Sequence, residues 1–212
     1  MKDIPVFTTE NGAASLTLRE IPYRGVAYIQ IQSSLEPDAL IGECVQFCTM
    51  CGAETVVATG HPALEKYPLR NSVILRQRPL EGLPDTDAAL FPVQEQTLKQ
   101  WLEIYNTAMK NVANAAWMTQ MDGLEMLQKG DGYFVHRGDT LLGIGKASGG
   151  KIGAIVAVQK GAGADVVLAL CHALTADTAA LEVASNNERA LRLYDRLGFV
   201  PTAEIVRWYV VK

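Results

Sequence analysis

Residues 181–199 carry the side chains whose types are best suited to chemistry. Glu182 lies between two apolar residues, so the alternation of a strand points its carboxylate to the opposite face, where it could accept a proton. Tyr194 follows on a helix, and a phenol is protonated at neutral pH, so it can donate a proton. Asn187 adds an amide that both donates and accepts hydrogen bonds. The segment therefore offers a base, an acid and a binding group.

Each of the three also has a purely structural interpretation. Tyr194 could be an aromatic side chain packed on the apolar side of its helix. Glu182 could face solvent, as glutamates in strands normally do. Asn187 suits a helix N-cap, although Asn186 could supply that cap and leave Asn187 free. Both interpretations stay open at this point.

The elements that must position these residues follow from the hydrophobic pattern. Residues 76–87 contain prolines and a glycine among polar residues, and we predict a linker there. This division gives a small α/β domain over residues 1–84 and a second domain over residues 88–212. The second domain is predicted to contain one or two helices, three antiparallel strands with tight glycine turns, and then helix, strand, helix, strand.

The sequence pattern of residues 181–199 resembles the C-terminal signature of the GNAT superfamily of N-acetyltransferases. The matching positions are Val183, Asn187, Ala190, Leu193, Tyr194, Gly198 and Phe199. The resemblance implies an α/β (α+β) fold of the GNAT type, with a mixed, mainly antiparallel sheet flanked by helices. It also implies acetyl-CoA as cosubstrate and direct attack of a primary amine on the thioester, with Asn187 and Tyr194 at the coenzyme. Residues 181–187 are similar to the string of the ribosomal-protein alanine N-acetyltransferases, which implies Glu182 as general base and Tyr194 as acid.

The same resemblance assigns the rest of the coenzyme site. GNAT proteins bind pyrophosphate at a glycine-rich turn before a helix, where backbone N–H groups face the anion. The matching stretch is Lys160, Gly161, Ala162, Gly163, Ala164 and Asp165. Asp165 stands where a small residue is usual and would repel pyrophosphate unless it turned outward as a helix cap. A backbone N–H of Val156, Ala157 or Val158 is expected to polarise the acetyl carbonyl where the fourth strand splays from the fifth.

Several other side chains could contribute to such a site. Trp101, Tyr105 and Trp117 could line the acceptor groove, with core packing as the alternative. Arg189 and Arg192 could reach coenzyme phosphates, with solvent exposure as the alternative.

The first domain has a pattern similar to part of the second. Residues 27–32, followed by a helix and a strand, are similar to residues 154–159, which are followed by the same elements. We predict a truncated, degenerate copy of the GNAT fold, and an unrelated small α/β domain explains the pattern equally well. Substrate binding, homodimerisation and covering of the sheet are all open as roles for it.

Two predictions from other functional classes compete with the enzyme. Cys44, Cys48 and Cys51 have the C-x-x-x-C-x-x-C spacing of the radical SAM iron–sulfur triad. That spacing is also one face of a helix, so packed apolar thiols explain it without a metal, and we expect no metal site. The second competitor is a non-catalytic acyl-CoA-binding or interaction module, in which Asp165 has weakened coenzyme binding.

Composition limits the partners of the protein. The chain has 212 residues, 49% of them hydrophobic, and a formal net charge of −4 without a block of lysines and arginines. A strongly phosphate-binding surface is therefore not expected, and nucleic acid is excluded as a predicted partner. The lack of a long apolar run predicts no membrane association and a cytoplasmic protein. The expected acceptor is a small-molecule amine or a peptide N-terminus.

Overall fold

The computed structural model describes residues 5–212, and its chain divides into two compact units. The first unit contains the described residues up to Val73 together with Glu204–Lys212, and the second contains Ile74–Ala203. This division differs from the predicted one in two ways. The unit boundary precedes the predicted linker, and the end of the last strand belongs to the first unit.

The first unit is built on strands that lie side by side in the order β1, β2, β3, β4, β11. Their bounds are Val6–Thr9, Gly12–Thr17, Val26–Ser34, Thr55–Thr59 and Val200–Val210, the last of which begins in the second unit. Helix α1 spans Ile21–Arg24, α2 spans Pro37–Met50, and a 3-10 helix spans Pro62–Lys66. Helix α2 connects the parallel strands β3 and β4 and packs its apolar side against them.

The cysteine spacing is explained by this packing. Cys44 and Cys48 are fully buried on α2, while Cys51 is an exposed residue at its C-terminal end. Burial raises the pKa of the Cys44 thiol to about 12 and that of Cys48 to about 11, so both are protonated, poor metal ligands at neutral pH. Within residues 5–212, no three His, Cys, Asp or Glu side chains are grouped to hold a metal ion.

The remaining strands lie in the order β5, β10, β9, β8, β7, β6, and all of them belong to the second unit except the first residues of β5, up to Val73. Their bounds are Leu69–Pro79, Thr178–Ala184, Lys151–Ala157, Thr140–Ser148, Gly132–Arg137 and Ala89–Pro92. Strands β6 to β9 pair antiparallel, whereas β9 and β10 are parallel. The first residues of the predicted linker therefore lie in β5, and β6, which follows it, was not predicted.

Four helices flank the strands of the second unit. Their bounds are Glu95–Met109 for α3, Gln120–Lys129 for α4, Gly163–His172 for α5 and Glu188–Arg196 for α6. Helices α5 and α6 share one apolar cluster with β9 and β10, and α3 and α4 share another with β7, β8 and β9. None of the helices in residues 5–212 has the length and apolar character needed to span a membrane.

Tight turns set the register of the three antiparallel strands, as predicted. The pairs Arg137↔Thr140 and Ser148↔Lys151 leave two-residue loops, and each loop begins with a glycine at positive φ. Gly138 has φ 53° and Gly149 has φ 57°, a region that fits the twist of two-residue hairpins and favours glycine.

Candidate active site

Strands β9 and β10 separate in the middle of the second unit. Their parallel pairing consists of Ala180↔Lys151 and Leu181↔Ile152. At the next residue, Gly153, the register between β9 and β8 shifts, which makes Gly153 the extra residue of a β-bulge. A bulge bends its strand and increases its twist, so the bulge explains why β9 leaves β10 at this point. We call the opening between β9 after Ile152 and β10 after Leu181 the strand gap; it matches the predicted splay of two strands.

Backbone N–H groups of β9 face the strand gap at alternate residues. The N–H of Val158 donates a hydrogen bond of 2.9 Å to the backbone carbonyl oxygen of Leu142, and that oxygen also accepts from the N–H of Gln159. Antiparallel alternation directs the N–H of Val156 to β8 as well, because Val156 pairs with Ile144 in the same register. Of the three predicted donors, only Ala157 therefore directs its backbone N–H to the strand gap. By the same alternation the N–H of Ile155 also points there, and the sequence interpretation missed it.

The predicted pyrophosphate loop lies between β9 and α5. The N–H of Ala162 donates to the oxygen of Gln159 in 3.2 Å and closes a turn in which Gly161 has φ 89°. Helix α5 begins at Gly163, and its N-cap, Ala162, has no side chain that could cap the helix. The first N–H groups of α5 therefore lack intrahelical acceptors, and the helix dipole places partial positive charge there. This geometry is suited to an anion, with Lys160 exposed beside it.

Gly163 has a packing role in this loop. A Cβ atom at Gly163 would lie 3.0 Å from Cδ2 of Leu193 on α6, closer than ordinary contact. A Cβ atom at Gly161 would meet nothing within 4 Å, so this glycine is required by its positive φ alone. The two glycines thus serve different purposes, close helix packing and a left-handed turn.

Asp165 makes an ion pair and does not cap α5. Its Oδ1 lies 2.9 Å from a terminal nitrogen of Arg137, and Nε of the same arginine donates to Asp87 in 2.7 Å. The hydroxyl of Thr86 lies 3.5 Å from the same oxygen of Asp165. The guanidinium of Arg137 therefore offsets the negative charge that the sequence places in this loop, and the sequence interpretation missed Arg137.

Tyr194 lies on the buried side of α6. It is 7% exposed and belongs to the apolar cluster that also contains Ile155 and Ala157, with its ring centroid 5.9 Å from that of Phe199. Burial raises the pKa of the phenol to about 12, and the nearby guanidinium of Arg76 opposes this shift. Tyr194 is thus protonated across the physiological range, as a proton donor must be.

The helix that carries Tyr194 is bounded by its own signature residues. Asn187 is its N-cap, and Oδ1 accepts a hydrogen bond from the N–H of Ala190 at 3.2 Å. Of the two interpretations left open, Asn187 as the N-cap is the one that applies, and Asn186 does not supply the cap. The amide nitrogen of Asn187 is a separate group and is the part that could donate to a pantetheine carbonyl.

The C-terminal end of α6 explains the Gly-Phe pair of the signature. The N–H of Phe199 donates to the oxygen of Tyr194, and the N–H of Gly198 donates to the oxygen of Asp195. These two bonds form a Schellman motif, which needs the left-handed conformation that Gly198 adopts at φ 77°. The signature residues at this end therefore stop the helix and hold Phe199 against Tyr194.

Two arginines of β5, Arg76 and Arg78, contact the same end of α6; both fall within the predicted linker, although Arg76 was also placed at the end of a predicted strand. Arg76 forms an ion pair with Asp195 and donates to the oxygen of Phe199 at 2.7 Å and 3.2 Å. Arg78 donates to the oxygen of Leu197. Cations near the last carbonyls of a helix complement its dipole. Only their position in a neighbouring strand reveals this role.

Glu182 lies on β10, directly after the last residue paired with β9. It is exposed while its neighbours Leu181 and Val183 are buried, so its carboxylate points to the face opposite them. Its Oε1 lies 2.5 Å from Nζ of Lys151 on β9. The carboxylate predicted as general base thus lies at the closed end of the strand gap, where β9 and β10 still pair. It already forms an ion pair with the ammonium group of Lys151.

The remaining predicted site residues lie elsewhere. Trp101 is fully buried, stacks on Tyr105 with centroids 5.5 Å apart, and donates from Nε1 to the oxygen of Tyr133, so it is a core residue and does not line a groove. Arg189 and Arg192 are exposed on α6, and Arg192 pairs with Glu188 at 3.1 Å. Trp117 is partly buried in the segment between α3 and α4.

Comparison with known proteins gives structural matches only. No protein-family model and no curated protein sequence matches the chain. A GCN5-related N-acetyltransferase from Sphaerobacter thermophilus is similar over 93% of this chain and 74% of its own, with TM-score 0.55 and 15% identity. A GNAT-family acetyltransferase from Colwellia psychrerythraea is similar over 98% of this chain and 84% of its own, with TM-score 0.54 and 13% identity.

A third solved structure is also similar to this chain. It is a tandem GNAT protein from the clavulanic acid biosynthesis pathway, similar over 94% of this chain and 78% of its own, with TM-score 0.51 and 14% identity. At such identities the likeness concerns the fold. The strand gap, the glycine loop and these matches agree, and the chain has the GNAT fold, with a mixed, mainly antiparallel sheet flanked by helices.

Proposed function

We propose that the protein is an acetyl-CoA-dependent N-acetyltransferase that acts on a primary amine. The observation that carries this proposal is the strand gap, which opens at the Gly153 bulge and has the glycine loop and α5 at its other end. An extended coenzyme arm fits such a gap, because one strand edge offers unpaired N–H groups and the helix N-terminus offers an anion site.

The coenzyme would lie with its pyrophosphate at residues 160–165 and its pantetheine arm along β9. Strands rise by about 3.3 Å per residue, so Ala157 lies about 13 Å beyond Gly153 and Ile155 about 7 Å beyond it. An amine held by Glu182, opposite the bulge, can therefore reach a carbonyl polarised by Ile155 far more easily than one polarised by Ala157. We assign the acetyl oxygen to the N–H of Ile155 and a pantetheine carbonyl to the N–H of Ala157.

The chemistry is a direct transfer between the amine and the thioester. Glu182, or a water that it orders, takes a proton from the acceptor ammonium, and the neutral amine attacks the acetyl carbon. The bond between carbon and sulfur breaks, and Tyr194 protonates the departing thiolate. The nitrogen loses its second proton as the intermediate collapses, so one proton is released to solvent in total. Lys151 must leave Glu182 before an external amine can take its place.

The main alternative is a non-catalytic module that binds acyl-CoA. The ion pairs of Asp165 and of Glu182 favour it, because one carboxylate stands in the anion loop and the other already holds an ammonium. An enzyme would release free thiol from acetyl-CoA in the presence of some amine. A binding module would bind coenzyme without turnover.

For the first unit we propose a degenerate copy of the same fold. It repeats the order strand, helix, parallel strand in β3, α2 and β4. Strands β3 and β4 pair along five successive residues, from Val26↔Thr55 to Gln30↔Thr59, so no comparable gap opens there. The N-terminus of α2 has Glu36 as N-cap and Asp38 in its first turn, with no glycine, and these carboxylates would repel a phosphate.

Calorimetric titration with acetyl-CoA tests the proposed coenzyme site. Gly161→Val should abolish binding, because the side chain would enter the anion loop and strain a residue at φ 89°. Gly149→Val is the matched control, since it also replaces a positive-φ glycine with open surroundings, in the β8–β9 hairpin. Absence of acetyl-CoA binding by the wild type would contradict the proposed function. Equal binding by the two variants would show that the pyrophosphate does not bind at the loop of Gly161.

A further inference from the structure

The ammonium of Lys151 occupies the position that the proposed mechanism gives to the acceptor amine. Lys151 pairs with Ala180 in the short ladder that closes the strand gap, and Glu182 is the first β10 residue beyond that ladder. The two side chains meet with 2.5 Å between Nζ and Oε1. Both are part-exposed, Lys151 at 56% and Glu182 at 40% of the side chain, so both are accessible from solvent.

We propose that Lys151 is an acetylation site of the protein itself, modified from acetyl-CoA bound in its own strand gap. This inference rests on the proposed function. It follows because a primary amine and the proposed general base meet beside the ladder that closes the gap. Gly153, opposite Glu182, is about 7 Å along β9 from Ile155, whose N–H we assign to the acetyl oxygen. Glu182 orients Nζ there before any external acceptor arrives.

The step balances with acetyl-CoA as the only co-reactant. The ammonium of Lys151 gives one proton to Glu182, and its nitrogen then attacks the acetyl carbon and forms an amide bond. The carbon–sulfur bond breaks, the sulfur keeps the electron pair, and Tyr194 supplies a proton to give free coenzyme A. The nitrogen loses a second proton as the intermediate collapses, so one proton is released to solvent in total.

Exposure and ion pairing alone do not single out Lys151. Lys129 forms an ion pair with Glu125 at 2.6 Å and is 55% exposed, but both residues lie on α4 and neither belongs to β9 or β10. Lys129 therefore has a carboxylate partner and an exposure similar to those of Lys151, but no strand gap beside it. It serves as an internal reference for the uncatalysed acetylation of an exposed lysine by acetyl-CoA.

The test is acetylation of the purified full chain by acetyl-CoA without added amine, followed by peptide mass spectrometry over time. We expect Lys151 to be acetylated at least about tenfold faster than Lys129, the effect of a positioned base being 10²-fold or more. The first-order rate should not depend on protein concentration, because the reaction is within one chain. Equal rates at the two lysines would overturn the inference.

Variants separate catalysis from simple reactivity. Glu182→Gln should lower the rate at Lys151 to that at Lys129, whereas Lys129→Arg should leave the rate at Lys151 unchanged. An unchanged Lys151 rate in Glu182→Gln would contradict the proposed role of the pair. Circular dichroism of both variants, whose side chains are solvent-accessible, checks that they fold.

A parallel assay distinguishes this inference from the proposed function. Thiol release with added amines, without acetylation of Lys151, would overturn the inference and leave the acetyltransferase intact. Acetylation of Lys151 without turnover of added amines would support the inference and restrict the proposed function to self-modification. Failure of the wild type to bind acetyl-CoA in the titration would overturn both.

Discussion

At the scale of single residues, burial decides what Tyr194 can do. Its phenol lies in the apolar cluster of α5, α6, β9 and β10, and its raised pKa keeps the proton on the oxygen. A packed aromatic side chain and a proton donor are therefore compatible descriptions of one residue. The same is true of Asn187, whose oxygen caps α6 while its nitrogen stays available as a donor.

Tyr194→Phe should lower turnover about 10²-fold while the dissociation constant for acetyl-CoA changes little. The variant keeps the ring that packs on Phe199 and removes only the hydroxyl. Steady-state kinetics and calorimetric titration measure the two quantities separately. An unchanged kcat would remove Tyr194 from the mechanism.

The pKa of Tyr194 also predicts how stability depends on pH. The folded-state pKa of about 12 lies above the ordinary value of 10.0, so the unfolded chain releases this proton first as the pH rises. The free energy of unfolding should therefore fall between about pH 10 and 12, by about 2–3 kcal/mol from this group alone. Denaturation of wild type and Tyr194→Phe over this range isolates the contribution. Parallel curves for the two proteins would contradict it.

Asn187→Ala should destabilise the protein by about 1 kcal/mol, the usual effect of losing an N-cap. Asn186→Ala is the matched control, because the preceding asparagine does not cap α6 and should leave stability almost unchanged. Urea denaturation of both variants measures the difference. A larger loss of stability in Asn186→Ala than in Asn187→Ala would show that Asn186, and not Asn187, caps α6.

At the scale of elements, the bulge in β9 and the N-terminus of α5 create the two ends of the proposed coenzyme site. Gly153 ends the pairing with β10, and the turn at Gly161 presents the helix N-terminus. Between these ends, strand alternation determines which N–H groups remain for a ligand. The pairing of Arg137 with Asp165 keeps this anion site from carrying an unopposed negative charge.

Arg137→Ala should weaken acetyl-CoA binding about five- to tenfold, because it leaves Asp165 unopposed beside the pyrophosphate, an effect of about 1 kcal/mol in a partly solvated site. Asp165→Asn in the same background should restore binding. The melting temperature should change little, since ion pairs at exposed positions contribute little to stability. Titration of both variants measures the effect, and equally weak binding by the double variant would show that Arg137 acts independently of Asp165.

At the scale of the whole molecule, two units of related element order differ in the details that bind a coenzyme. The first unit has a continuous β3–β4 ladder and carboxylates at the N-terminus of α2. The second has the strand gap and the glycine loop. We therefore expect a single coenzyme site per chain.

Titration should give a stoichiometry of one acetyl-CoA per chain, and Glu36→Gln should leave both affinity and stoichiometry unchanged. Removing this charge from the N-cap of α2 does not open the β3–β4 ladder, which is why no second site should form. A stoichiometry of two would show that the first unit binds coenzyme as well.

Sequence patterns predicted the elements near the site better than the contacts within it. Helix α6, its stop at Gly198, the two glycine hairpins and the buried face of α2 follow from spacing over a few residues. Strand β6 was missed because it is short and mostly exposed. Of the two interpretations left open for Trp101, core packing applies; an aromatic residue on an amphipathic helix fits a core or a groove from sequence, and only its burial distinguishes them.

The sequence by itself determined the GNAT signature, the helix that it forms and the glycine loop, because these depend on interactions between residues close together in the chain. Only the tertiary structure decided the partners of the charged groups. Lys151 and Glu182 are 31 residues apart, and Arg76 and Asp195 are 119 apart. Such pairs form only after strand order and register are established, and no local pattern encodes them.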